Sequence, residues 1–288
     1  MLSLILGFTL ASQPHVPDGY DQQIATWRAE QAKEVRAEYG WLSVAGLFWL
    51  DPGDNSVGSA SSCKVALPAT VPAKVGTLTF TDGTVTLSAD PSANVTVDGK
   101  PVTEVTMRSD ASGHQTRADI GAVSFAVIER GQRTGIRVWD NDSRERKDFT
   151  GLKWYPVKPS YVVKAKYIAY PTPKKIAITS VLGDVTMNDN PGYVEFSVAG
   201  KPCRLEAQAA GSGFFFNFQD TTNGKETFDA GRFLDAPAAK DGFVVLDFNK
   251  ATNPPCAYTT FATCPLPPKG NSLDVPIKAG EKLYHQLP

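Results

Sequence analysis

One stretch of the chain carries a helical period. Tyr20, Ile24, Trp27, Gln31, Val35 and Tyr39 recur at three- and four-residue steps, which predicts a helix with one core-facing stripe. Asp18 or Asp21 is positioned to cap it and Gly40 to stop it. The opposite face, with Glu30, Lys33 and Arg36, reads as ordinary solvated surface, and Arg28 falls at the edge of the stripe. The dense apolar run Trp41–Trp49 that follows must be buried, most simply as a sheet edge closed off by the helix.

From Gly53 the period changes to short strands separated by turns. Strands are expected at Cys63–Leu67, Gly76–Thr81, Thr84–Ser88, Asn94–Val97, Glu104–Met107, Ala122–Glu129 and Thr134–Trp139. Asp82-Gly83 and Asp98-Gly99 are two-residue hairpin signals. After the polar stretch Asp140–Lys147 a second set is expected at Val162–Ala169, Lys175–Thr179, Asp184–Met187, Tyr193–Val198, Lys201–Ala207, Gly213–Gln219 and Gly242–Phe248. Asn190-Pro-Gly192, Ala199-Gly-Lys201 and Gly211-Ser-Gly213 read as turns, and Phe214–Phe218, apolar on both faces, as a central strand. With no helix between strands, the expected fold class is all-β with an N-terminal helix, in two consecutive antiparallel β domains.

Composition agrees with this. The chain has 288 residues, 42% apolar, with 24 glycines and 21 prolines, enough for one large core or two ordinary ones. All five tryptophans precede residue 155, which favours two cores. A formal charge of −1 argues against a basic nucleic-acid binder. No run of about twenty apolar residues offers a membrane-spanning helix. Leu2–Ala11 is a short apolar run with Thr9 and Ala11 where a signal peptidase wants small residues, although the basic n-region is missing. It reads as a signal segment (residues 1–13) or as a frayed apolar terminus. A signal implies periplasmic or secreted localisation, and its absence a cytoplasmic one.

Four cysteines stand at positions 63, 203, 256 and 264. Cys256 and Cys264, eight apart with Pro265 following, are the easy pair for a local disulfide, and buried thiols are the alternative. Three histidines (His15, His114, His285) are too few for a His-rich zinc site, no metal or other cofactor is implied, and no Gly-x-Ser-x-Gly elbow supports a triad. No phosphate-binding glycine loop follows a strand.

Several stretches carry a resemblance: Gly135-Ile-Arg-Val-Trp-Asp140, Phe149–Pro156, Phe218–Phe228 with Gly231-Arg-Phe-Leu234, Asp247–Tyr258, Ala262–Pro268, Asn271 and Ala279-Gly-Glu281. Together they resemble a bacterial family known as domain of unknown function 1684, over about Trp27 to Glu281. The resemblance implies no activity, substrate or cofactor. Residues 53–140, with Gly58-Ser59 and Val97-Asp-Gly99, are similar to a forkhead-associated sandwich. That class implies phosphothreonine binding through an arginine where this chain has Ser59, which speaks against that ligand. The expected domains are therefore the helix (14–40), a forkhead-associated-like sandwich (41–145), and a larger barrel or sandwich (146–288).

Candidate chemistry concentrates at strand ends of the last domain. Asp220 either bonds the amides of its own turn or gathers with Glu226 and Arg232 at one mouth of the sheet. Arg232 offers a fork of donors to an anion, or pairs structurally with Asp220 or Asp247. Asp247 and Asn249, two apart, share a face and either hold the loop Asn253-Pro-Pro-Cys256 or bind a ligand with Asn253 and Tyr258. Arg137, among apolar neighbours, is expected to reach an interior acid, whereas Arg144 and Arg146 read as solvated charge. These residues define three readings: a binder of a small polar or anionic molecule, a structural or partner-binding module, and a hydrolase. The hydrolase would use two of Asp220, Glu226 and Asp247 as general acid and base, roughly 5–10 Å apart across a cleft. Oligomeric state has no signature in the sequence.

Overall fold

The computed structural model describes residues 16–284, so the candidate signal segment, His15 and His285 lie outside the described residues. Helix α1 spans Tyr20–Arg36. Its N-cap is Gly19 in the left-handed region, and neither Asp18 nor Asp21 caps it. The chain leaves the helix at Ala37, and a side chain at Gly40 would stand 2.6 Å from the Glu34 carbonyl. Close approach to the helix end, rather than a stop signal, is what Gly40 supplies.

Eleven strands follow: β1 (Val44–Trp49), β2 (Gly53–Gly58), β3 (Val65–Ala66), β4 (Gly76–Thr81), β5 (Thr84–Ala89), β6 (Thr96–Val97), β7 (Lys100–Pro101), β8 (Glu104–Thr106), β9 (Arg117–Ile120), β10 (Val123–Arg130) and β11 (Arg133–Asp140). They form a six-stranded sheet in the order β1-β11-β10-β9-β6-β7 and a five-stranded sheet in the order β3-β2-β4-β5-β8. Val57, Leu78 and Leu87 of the smaller sheet share one core with Phe125, Val127, Ile136 and Val138 of the larger. This is a β-sandwich. Both expected Asp-Gly turns are present, with φ of 50° and 76° at Asp82-Gly83 and 50° and 72° at Asp98-Gly99. Such paired positive angles match the strand twist.

β1 is an edge strand, as its apolar run suggests, but α1 does not cover that edge. The helix packs instead on the turn before β1 and on later parts of the chain: Tyr20 and Ile24 meet Val162, and Val35 meets Leu42 and Tyr258. Trp27 is only half-buried, edge-on to Trp154 at 5.6 Å.

The second domain is built from β12 (Val162–Thr179), β13 (Val185–Val198), β14 (Lys201–Ala210), β15 (Gly213–Asp220), β16 (Arg232–Ala236), β17 (Phe243–Asp247) and β18 (Ser272–Leu273). The order β16-β15-β14-β13-β12-β17 curls into a half-barrel, with β18 parallel to β15. Past β17, Thr252 exchanges both backbone hydrogen bonds with Phe233 of β16, bridging the gap between the outer strands. The interior is solid. Phe214, Phe216 and Phe218 of β15 pack inside, and Leu273, Val275, Ile277 and Ala279 enter from the C-terminal segment.

Two pairs of expected short strands are in fact single long ones. β12 runs through Pro171 and Pro173, and β13 through Asn190-Pro-Gly192, the expected turn. Proline lacks a ladder donor, and the pairing shifts between Ala169 and Lys174. Asn190 bridges the irregularity, accepting from the Gly192 amide at 3.1 Å and donating to Glu206 at 2.6 Å. At Gly192 a Cβ would lie 2.4 Å from the Ile168 carbonyl. Side-chain hydrogen bonds thus carry the ribbon past a point where its backbone ladder fails.

Because Phe216 is fully buried in the barrel, Phe216→Ala should cost about 3–5 kcal/mol in urea unfolding. Val185→Ala, on the exposed tip of the β12–β13 ribbon, should stay within about 0.5 kcal/mol.

Candidate functional site

The strand-end polar residues fall into separate clusters. At the first, Asp220 ends β15 and Arg232 begins β16, and both side chains are wholly buried. Arg232 Nη2 donates to Asp220 Oδ2 at 2.6 Å and to the Ile277 carbonyl at 2.9 Å, while Nη1 donates to the Ala279 carbonyl at 2.5 Å. Asp220 Oδ1 accepts from the Thr222 amide and hydroxyl (2.9 and 2.7 Å) and from the Ile277 amide at 3.2 Å. The structural partner of Arg232 is therefore Asp220 and not Asp247. Asp220 also bonds its turn amide, as one of the two expectations held. Together they clamp the extended segment that fills the barrel.

A second cluster holds the end of that segment. Glu281 accepts from the Tyr258 hydroxyl at 2.6 Å and from the Asn253 amide at 2.8 Å. Asn253 Nδ2 in turn donates to the Lys282 carbonyl at 2.9 Å. Burial raises the Glu281 carboxyl to about 7, and burial likewise pushes the Tyr258 phenol up.

The third cluster anchors α1. Tyr20 donates to Asp247 Oδ1 at 2.7 Å, and Asn249 spans the Lys158 amide and carbonyl, both at 3.0 Å. Asp247 and Asn249 meet as expected, at 3.2 Å, for a different reason. The strand ends at Asp247, whose carboxylate caps the 3-10 turn Phe248–Lys250 by accepting the Asn249 amide. Burial and the Asp247 carboxylate together raise the Tyr20 phenol. Asn271 repeats the pattern between strands, bonding the backbone of Glu206 and Asn217.

The three candidate carboxylates are each engaged by different side chains. Asp220, Asp247 and Glu226 share no hydrogen-bond partner, and Glu226 sits at the surface with Lys278 (3.0 Å) and Tyr155 (3.0 Å). Those two contacts hold the Glu226 carboxyl below its usual range. Arg137 reaches no acid. It is 7% exposed, its Nε and Nη2 have no partner, and its guanidinium lies 5.2 Å from the Trp41 ring centre. The acid whose charge acts on it, Asp110, is bonded to Arg130 at 2.7 Å instead. Ser59, where the forkhead-associated class would need arginine, donates to the Val71 carbonyl at 2.8 Å. Cys256 and Cys264 are brought together as thiols, the Cys256 amide donating to Cys264 Sγ at 3.0 Å. Among the described residues no group of three or more His, Cys, Asp or Glu is arranged to hold a metal.

The open site lies elsewhere. A cleft of about 630 Å³ separates the last turns of α1 from residues 146–151. Lys33, Arg36, Arg146 and Lys147 line it with Phe149 and Thr150, and no carboxylate does. Arg146 is held in place by donating to the Arg36 and Asn141 carbonyls, at 2.8 and 2.6 Å. Lys33 and Lys147 touch Glu30 and Asp142, both exposed and outside the lining, so these pairs are weak. Sequence reasoning treated Lys33, Arg36 and Arg146 as solvated charge and Lys147 only as the end of a polar stretch. The available signal was a clustering of basic residues at the helix C-terminus and in the 144–147 run, but only the fold makes them neighbours. A smaller cleft of about 380 Å³, on the sandwich, includes Arg108 and the exposed His114.

Fold and clusters together define an all-β protein with an N-terminal helix, whose buried polar residues hold its own backbone. The chain belongs to the family described as protein of unknown function (DUF1684), whose model matches residues 147–282. That span contains all three clusters' strand-end residues but not the sandwich, and the forkhead-associated resemblance is not confirmed. A similar solved structure is the solution NMR structure of an uncharacterized protein from gene locus rrnAC0354 of Haloarcula marismortui. It is 32% identical, covers 48% of this chain and 79% of its own, and has a TM-score of 0.41. No curated protein matches the chain. Among the described residues no helix is long and apolar enough to cross a membrane.

Removing one partner from the buried ion pair should be severe. Arg232→Met should cost about 3–5 kcal/mol in urea unfolding, and the Arg232→Met/Asp220→Leu double variant less than the two single changes summed. Glu281 supplies a second test. The unfolded carboxyl ionises near 4.5 and the folded one near 7, so the folded state favours the protonated form. This contribution is complete below 4.5 and is lost as pH rises through 7. Unfolding curves of Glu281→Gln should gain on the parent by about 1.4 kcal/mol per pH unit across that window.

Proposed function

We propose that this is an exported, non-enzymatic β-scaffold protein that binds a small anionic molecule in the cleft between α1 and residues 146–151. One observation carries the reading: four cationic side chains line one cleft without a carboxylate among them. Arg36 and Arg146 present guanidinium forks suited to carboxylate or phosphate oxygens, and Phe149 adds an apolar wall. The strand-end residues Asp220, Arg232, Asp247, Asn249, Asn253 and Tyr258 serve as supports, since their hydrogen bonds run to the chain itself. Export, for which the sequence of residues 1–13 is the motive, would carry the cysteines into an oxidising compartment.

Citrate and inorganic phosphate are suitable probes in a thermal-shift titration at low ionic strength. Both should raise the melting temperature, with the effect largely screened in 0.5 M salt, where the Debye length falls to about 4 Å. A Lys33→Glu/Arg36→Glu variant, altered only on exposed helix positions, should bind at least about tenfold more weakly. An unchanged response in that variant, or no response in the parent, rejects the reading.

A further inference from the structure

The seam where the sandwich meets the barrel loops holds groups that none of the three clusters uses. Cys256 sits in a 3-10 turn entered through Pro254 and Pro255, and Cys264 is followed by Pro265. The prolines stiffen both approaches, and the Cys256 amide reaches Cys264 Sγ at 3.0 Å. Cys264 is buried at 3% exposure, and Cys256 is partly open. A hydrogen bond from the Cys264 thiol holds Cys256 below its ordinary range, and the same contact, with burial, raises Cys264. Arg137 stands beside them, nine-tenths buried with two unpartnered nitrogens, and its charge bears on Cys264. The partly exposed Cys256 can meet a reagent from solvent, while the buried Cys264 lies within reach of it and beside the Arg137 charge. The other two thiols are remote from this seam: Cys63 donates to the Ala73 carbonyl in the sandwich, and Cys203 lies in the barrel core.

We propose that Cys256 and Cys264 form a reversible thiol–disulfide couple, with Cys256 the attacking thiol, Cys264 the resolving thiol and low-molecular-weight disulfides the oxidant. The Cys256 thiolate attacks one sulfur of the oxidant, forming a mixed disulfide and releasing one thiolate. Cys264 then gives up its proton and attacks Cys256 Sγ, forming the internal disulfide and expelling the second thiolate. Two protein thiols are oxidised and one external disulfide is reduced to two thiols. The closed loop contains Thr259 and Thr263, which bond Val44 at 3.4 Å and Arg130 at 3.0 Å across the seam. Oxidation therefore locks one of the segments through which the barrel holds the sandwich, alongside the Arg133–Asp184 pair.

The test equilibrates the reduced full-length protein with mixtures of reduced and oxidised glutathione, quenches with acid and maps peptides by mass spectrometry. The expected result is a Cys256–Cys264 linkage with the loss of two hydrogens, reversed by excess reduced glutathione, while Cys63 and Cys203 stay alkylatable. Cys264→Ser should accumulate glutathione on Cys256. Arg137→Met should slow conversion of the Cys256 mixed disulfide to the internal disulfide at least about threefold, and Arg137→Lys should restore the rate. Linkage to Cys63 or Cys203, mixed disulfides persisting in the parent protein, or a folded chain inert to the couple would each overturn the proposal. The parent's peptide map decides the matter even if a variant fails to fold.

Discussion

A guanidinium with no solvent exposure must find acceptors inside the protein, and Arg232 finds three. One is the Asp220 carboxylate across the end of β15 and β16. The other two are carbonyls of a C-terminal segment that has no long strand of its own. That segment carries Leu273, Val275, Ile277 and Ala279 into the half-barrel, so the ion pair decides whether the barrel's interior is filled. The open side of the sheet cannot be closed by strand pairing alone, and the buried charge supplies the missing directional bonds.

The same device recurs wherever irregular chain crosses the domain. Asn249 ties the Lys158 backbone and, through Asp247 and Tyr20, the start of α1. Glu281 joins Tyr258 and Asn253, and Asn271 spans β14 and β15. Amide and carboxylate side chains stand in for absent ladder hydrogen bonds, and so they have little capacity left for a ligand. The free cationic capacity lies instead at the cleft between α1 and residues 146–151, and the free thiol chemistry at the seam. Both features lie where distant parts of the chain meet rather than at the mouth of the sheet.

Much of the architecture was legible in local pattern. The Asp-Gly hairpins, the phenylalanine strand and the helical stripe from Tyr20 to Val35 are set by interactions within a few residues and stand where expected. Tyr39, expected on the stripe, instead lies beyond the helix with φ 62° and packs on Trp139. The joined strands β12 and β13 were not legible, because proline and an Asn-Pro-Gly run are local turn signals, overridden here by the bond from Asn190 to Glu206 on the neighbouring strand. Strand β16 was missed for a related reason: its first residue is a buried arginine, whose polarity conceals a core position.

The amino-acid order by itself determined the strand-rich class with its N-terminal helix and the residues able to do polar chemistry, because period, turn type and hydrogen-bonding capacity are properties of neighbours in sequence. Only the tertiary structure decided what those residues do. Asp220 lies 12 positions from Arg232, whereas Arg36 lies 110 from Arg146, and spacing along the chain distinguishes neither contact from chance. A guanidinium enclosed by carbonyls becomes a support, while one left beside an open cleft keeps its charge for an anion. Burial makes that difference, and burial is a property of the whole packed chain.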